Sequence, residues 1–286
     1  MWRVWIDAAR PKTLPAALAP VAVGSALAAD AGCWRWELAL GCLAGALCLQ
    51  IACNYANDAG DAERGADGPD RVGPARAVAS GLVSARAMLS ASVVMAGAAS
   101  LVGGWLALES GWPVLAIGGA ALLAAFAYTL GPWPLAYRGL GDPFVLLFFG
   151  FAAVLGSAWV QVQQWPLPLS WWWAAAAVGL QATALIAINN IRDLASDARV
   201  GKRTLAVRLG AQGSRLYHTA LHLAAAGSWS LAELWLPALI TAVLGGLLSG
   251  AVWRTEGRAL NRCLAFAAAL LLLAALAAIA QLLLAP

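Results

Sequence analysis

The chain has 286 residues, of which 62% are hydrophobic and only 11% charged, with a mean hydropathy of +0.75 and a net charge of +4. Soluble domains carry roughly 25% charged residues, so these few charges cannot clothe a water-facing surface, and lipid is the solvent for most of the chain. The positive excess is no nucleic-acid signature, because the basic residues follow the ends of apolar runs.

A membrane-crossing helix needs about 20 mostly apolar residues. In chain order the candidates are 14–31, 36–57, 86–107, 113–130, 142–160, 170–192, 216–233, 236–253 and 260–284. The first follows Arg10, Pro11, Lys12 and Thr13, and because many spans come after it, it reads as a span rather than a cleaved leader. The run 216–233 is the most dilute, being interrupted by His218, His222 and small residues. The runs are continuous, without the period-two alternation of a barrel, and recurrent Gly and Ala let helices approach closely in lipid. The expected fold is all-α: one polytopic membrane bundle of nine transmembrane helices forming a single domain over 1–286.

Orientation follows from the basic residues. With a cytoplasmic N-terminus, 17 of the 18 Lys and Arg fall in inside segments and only Arg35 falls outside. The long inside loops, about 58–85 and 193–215, place the chemistry on the cytoplasmic face, in a bacterial inner membrane. Trp2, Trp5, Trp34, Trp36, Trp112, Trp133, Trp165, Trp171 and Trp253 stand near the ends of runs and suit an interfacial belt. The five cysteines form no CxxC pair, which argues for packing rather than a zinc or disulfide framework.

Two polar clusters carry the chemistry. At the end of the second run Asn54, Asn57, Asp58 and Asp61 recur at three- and four-residue spacing and share one helical face. At the end of the sixth, Asn190, Asp193 and Asp197 repeat the pattern about 133 residues later. Clustered carboxylates repel unless cations neutralise them, and hard oxygen ligands suit magnesium, whose shell substrate phosphate commonly completes. Basic residues follow each cluster, Arg71 and Arg76 in the first loop and Lys202, Arg203 and Arg208 in the second. Such side chains cage phosphate. The candidate metal set is therefore Asp58, Asp61, Asn190, Asp193 and Asp197, its four acids also being the candidate catalytic residues. Asn54, Asn57, Arg71, Arg76, Asn190 and Lys202 are the candidate contacts to the diphosphate or the acceptor. Tyr128 and Arg138 reach the same cavity or belong to an ordinary Gly/Pro-rich turn; Arg10 and Lys12 bind an acidic substrate or serve as positive-inside anchors. His218 and His222, one helical turn apart, read as packing.

Together these stretches resemble the UbiA superfamily of intramembrane aromatic prenyltransferases, and most of all its naphthoate-prenylating branch. The resemblance rests on residues 9–15, 57–61, 68–74, 137–142, 189–193 and 201–210. It implies a nine-helix bundle, magnesium as cofactor, and transfer of a polyprenyl group from a polyprenyl diphosphate to an aromatic acid within the bilayer. For the naphthoate branch it implies loss of the ring carboxylate as carbon dioxide. In the family's first acidic motif Asn57, Asp58 and Asp61 match; the fourth position is Gly65, with Asp67 two residues beyond. The alternatives are another aromatic acceptor, such as 4-hydroxybenzoate or homogentisate, and a membrane transporter. Against the transporter, the acids cluster at one face instead of mid-span. Isoprenoid length and oligomeric state are not legible.

Overall fold

The computed structural model describes residues 2–66 and 72–284, and among these residues there are helices and turns but no strand. A short helix, α1 (Trp2–Ala9), absent from the sequence reading because eight residues are too few for an apolar run to show, lays Val4 and Trp5 against Tyr55. A single 3₁₀ turn, Pro11–Thr13, then bends the chain by 53° into α2 (Pro15–Asp30). There follow α3 (Trp36–Glu63), α4 (Ala85–Ser110), α5 (Pro113–Ala127), α6 (Gly141–Val162), α7 (Leu169–Arg192), α8 (Leu194–Arg199), α9 (Leu205–Leu231), α10 (Trp235–Trp253) and α11 (Leu260–Leu284).

Six helices among the described residues are long and apolar enough to cross a membrane, or seven if the bent Trp2–Asp30 pair counts as one span. At 15 residues α5 is shorter, about 22 Å at 1.5 Å per residue. The expected seventh run is corrected: α9 starts at Leu205, not 216, and Gly210 (φ 70°) kinks it inside the expected loop. It is not among the six long apolar helices, because His218, His222 and small residues dilute it along its length.

Helix α7 is the hub. It is apolar nearly all round, as expected of an enclosed helix, and buries Ala174, Ala177, Val178, Ala182, Ile188 and Ile191 against α6, α9 and α11. By contrast α5 buries no residue fully and lies at the rim. Trp171, expected at the interface, is instead 7% exposed in this core, whereas Trp2, Trp34, Trp36, Trp112, Trp133, Trp165 and Trp253 are exposed.

The middle of α6, Leu146–Leu155, winds as a π-helix where it crosses α7. The crossing is glycine on glycine: a Cβ added at Gly179 would lie 2.8 Å from the Gly150 Cα and 2.8 Å from the Leu146 carbonyl oxygen. Backbone on both sides leaves nothing flexible to yield. Gly179→Val is therefore expected to destabilise the protein by about 1–3 kcal/mol or more, checked by reversible unfolding in mixed micelles; a variant as stable as the wild type would contradict this packing.

The two ends of the bundle differ. At the start of α3, Arg35 pairs with Glu109 at 3.1 Å, and its backbone N–H donates to Gln161. At the other end Arg64 donates to the carbonyls of Thr129 and Gly131, and Arg215 to those of Val252 and Thr255. Both acidic clusters lie at this second end.

Candidate active site

A cavity of about 550 Å³ opens between α2, α3, α4, α5, α6 and α7. Its deep part is apolar, lined by Leu49, Gly103, Ile117, Leu122, Phe148 and Phe149 down to Trp159 and Val160. Its polar mouth gathers Arg10, Asn54, Asn57, Asp61, Arg76, Tyr128, Asn190 and Lys202, eight of the residues singled out from sequence. Three residues of the first cluster and Asn190 of the second, though some 130 positions apart in the chain, thus face one space.

Each side chain is held by its local structure. Helix α3 continues to Glu63, so the whole first cluster is helical. Asn54 donates to the Ala9 carbonyl at 2.8 Å and to the Thr13 hydroxyl at 3.2 Å, tying the bend before α2 to the mouth. Arg10, in the left-handed region at φ 54°, forms the corner of that bend. Asn57 accepts from the Thr129 hydroxyl. Asp61 accepts from the Tyr137 hydroxyl at 3.0 Å and lies 3.8 Å from the Lys202 ammonium. The Asn190 amide donates to Asp142 at 3.3 Å.

Several expected residues stand elsewhere. Asp58 does not line the cavity: its two oxygens accept from the backbone N–H groups of Ala77 and Val78, at 3.3 and 3.0 Å, and so pin the loop that follows Arg76. Asp193 also faces away, because Arg192 takes it at 2.5 Å while donating to Asn189 and Asn261. Asp197 is buried and its backbone carbonyl accepts from the Lys202 N–H at 2.9 Å, turning the chain back toward the mouth. Arg138 stacks on Trp133 at 3.6 Å, and Lys12 is exposed in its 3₁₀ turn; neither lines the cavity. Arg71 and Asp67 lie outside the described residues. His218 and His222 meet edge to face at 4.8 Å, buried against Gly245 and apart from the cavity.

The structure adds Gln50 to this region and brings to it Tyr137, Asp142 and Asn189, which entered from sequence only as members of the stretches 137–142 and 189–193. An acid opening an apolar helix, where the macrodipole favours it, was the available signal for Asp142. Nothing in spacing pointed to Tyr137.

The donor set has a definite chemistry. Asn57, Asp61, Asp142 and Asn190 offer hard oxygens beside Arg10, Arg76 and Lys202. Among the described residues no three His, Cys, Asp or Glu side chains form a ready metal cage. That fits a small hard cation held by one or two protein oxygens and completed by phosphate; it does not fit a closed structural metal site.

Comparisons with known proteins agree with this architecture. The profile of the UbiA prenyltransferase family matches residues 17–273. The 1,4-dihydroxy-2-naphthoate octaprenyltransferase of Escherichia coli is 40% identical over 229 residues, covering 77% of this chain and 72% of that protein. That of Mycobacterium tuberculosis is 40% identical over 225 residues, covering 78% and 75%. An apo structure of a UbiA homolog from Aeropyrum pernix K1 superposes with a TM-score of 0.72 at 21% identity, covering 95% of this chain and 98% of that one. A UbiA homolog from Archaeoglobus fulgidus, solved bound to DMAPP and Mg2+, gives 0.63 at 13% identity, covering 96% and 99%. By its matched profile, its relatives and its fold, the chain belongs to the UbiA prenyltransferase family.

Proposed function

We propose that this protein transfers a polyprenyl group from a polyprenyl diphosphate to 1,4-dihydroxy-2-naphthoate, releasing diphosphate and carbon dioxide and giving demethylmenaquinol, the reduced form of demethylmenaquinone, for menaquinone biosynthesis. The observation that carries the reading is one cavity with a charged, oxygen-rich mouth above a deep apolar channel, a shape matched to a substrate with a diphosphate head and a hydrocarbon tail. The 40% identity to naphthoate octaprenyltransferases directs the choice of acceptor. The protein spans a bacterial inner membrane with nine helices as one domain, N-terminus and mouth in the cytoplasm; the grouping of basic residues at the mouth end supports this sidedness.

In this reading Arg10, Arg76 and Lys202 draw the diphosphate to the mouth and offset the charge that grows on it as the allylic C–O bond breaks. Asp61 and Asn190, with Asn57 and Asp142 beside them, are the oxygens that hold magnesium against the diphosphate. Magnesium, when bound, supplies further charge neutralisation to the leaving group. Asp58 acts from behind, pinning the loop that bears Arg76, and the Asp197 backbone carbonyl holds the turn that bears Lys202. Phe148 and Phe149 line the apolar channel that takes the tail, and the apolar walls exclude the water that would quench the allylic cation. The naphthoate ring then attacks the cation.

The test is direct. Purified protein in nanodiscs, given a polyprenyl diphosphate, dihydroxynaphthoate and magnesium, is expected to yield prenylated naphthoquinol by mass spectrometry. Unchanged substrates from a well-folded sample would refute the reading, and a matrix of acceptors would reveal a different ring. Because the protein contributes so few carboxylates per cation, a second outcome follows. Chelation should abolish turnover, yet calorimetry should show no tight magnesium binding until pyrophosphate is added. Tight binding by the protein alone would mean a preformed cage.

A further inference from the structure

Tyr137 lies in the loop between α5 and α6, 76 positions from Asp61, and opens the stretch 137–142 without a role in the site assigned from sequence. Its surroundings are unusual. The hydroxyl donates to Asp61 Oδ1 at 3.0 Å. Lys202 Nζ lies 5.2 Å from the ring centroid and Arg64 Cζ lies 5.3 Å from it, so two cations flank one phenol. The Tyr137 carbonyl accepts from the Arg203 N–H at 3.0 Å, which fastens the ring beside the chain segment that carries Lys202. Two residues on, Gly139 (φ 74°) sits so close to this segment that an added Cβ would lie 2.8 Å from the Arg203 carbonyl oxygen. One aromatic side chain therefore touches the end of α3 and the segment after α8 together.

We propose that Tyr137 is the positioning residue of the site, orienting Asp61 toward the cation with its hydroxyl and holding Lys202 at the mouth with its ring. The role rests on the diphosphate site described above. Both the hydroxyl and the Lys202 ammonium approach Asp61 through Oδ1. With Oδ1 engaged by both groups, Oδ2 is left as the oxygen for a cation. Partners that hydrogen-bond a ligating carboxylate fix its orientation and basicity, and their removal typically weakens metal affinity by about 10- to 100-fold. The ring acts separately. A lysine over an aromatic face keeps its position without a fixed hydrogen bond, so it can turn to an arriving phosphate while the phenol keeps Asp61 in place. Hydroxyl and ring thus have distinct tasks, which two substitutions separate.

The test uses the full-length protein in nanodiscs with Mn2+ as an electron-paramagnetic probe of free metal, in the presence of inorganic pyrophosphate, alongside pyrophosphate binding without metal. Titration midpoints report on the folded molecules, so partial misfolding lowers the stoichiometry without moving the midpoint. Tyr137→Phe is expected to weaken Mn2+ binding by about 10- to 100-fold while metal-free pyrophosphate affinity stays within twofold of wild type. Tyr137→Leu, which also removes the ring, is expected to weaken both. A Mn2+ midpoint for Tyr137→Phe within twofold of wild type would overturn the hydroxyl's role, and equal pyrophosphate affinity in the Leu and Phe variants would overturn the ring's. Wild-type protein that binds no Mn2+ with pyrophosphate present would instead remove the diphosphate site itself, a failure distinct from either.

Discussion

Asp61→Ala is expected to lower prenyl transfer by about 10²- to 10³-fold, the usual loss when one preorganised group facing developing charge is removed. Asp61 combines features that no other acid of the two clusters shares: it lines the cavity, is 6% exposed, and is contacted by both Tyr137 and Lys202. Its loss removes a cation ligand and also frees Lys202 from its counter-charge. Pyrophosphate affinity without metal should therefore hold or rise while turnover falls. Initial rates read by mass spectrometry, with a thermal-shift control for folding, check both parts. A variant within threefold of wild-type turnover would show that Asp61 has no part in the reaction.

The second large effect concerns stability. Arg192, with a side chain 2% exposed, holds Asp193 at 2.5 Å and donates as well to the side-chain oxygens of Asn189 and Asn261. Removing one partner of a buried pair leaves an uncompensated charge and costs about 3–5 kcal/mol. Arg192→Met should lose that much in reversible mixed-micelle unfolding, since Asp193, at 11% side-chain exposure, loses the cation that holds it. Adding Asp193→Leu should restore much of the loss, because the stranded charge goes too. A single variant within 1 kcal/mol of wild type would mean that water already reaches this helix end.

The contrast between Asp61 and Asp193 shows what the sequence could convey. Long apolar runs located most of the helices to within a few residues, because no other element satisfies its backbone in lipid. Spacing also placed Asn54, Asn57 and Asp61 correctly on one arc of α3. It did not tell that Asp58, at one edge of that arc, turns to the amides of Ala77 and Val78. That choice depends on how the following loop folds back. In the second cluster helical arithmetic fails outright, since α7 ends at Arg192 and α8 is a separate helix. Asn189 and Asn190, still on α7, reach the cavity; Asp193 and Asp197, beyond its end, do not. Tyr137 stood in the stretch 137–142, yet its role was hidden for another reason. Its partners Asp61, Arg64 and Lys202 are brought to it only by the packing of two distant loops. The start of α9 was hidden by its polar residues, which belong to a helix but not to an apolar run.

The account turns on two distant helix ends, one bringing Asp61 and the other Asn190, gripping a single head group. A structure of the protein with magnesium and a thiolo-diphosphate analogue that resists ionisation tests it most directly. The prediction is a diphosphate at the mouth with its cation ligated by Asp61 from α3 and Asn190 from α7, Lys202 on the phosphate oxygens, and the tail running past Phe148 and Phe149. A diphosphate contacted by one of these helices alone, or bound away from the mouth, would contradict it.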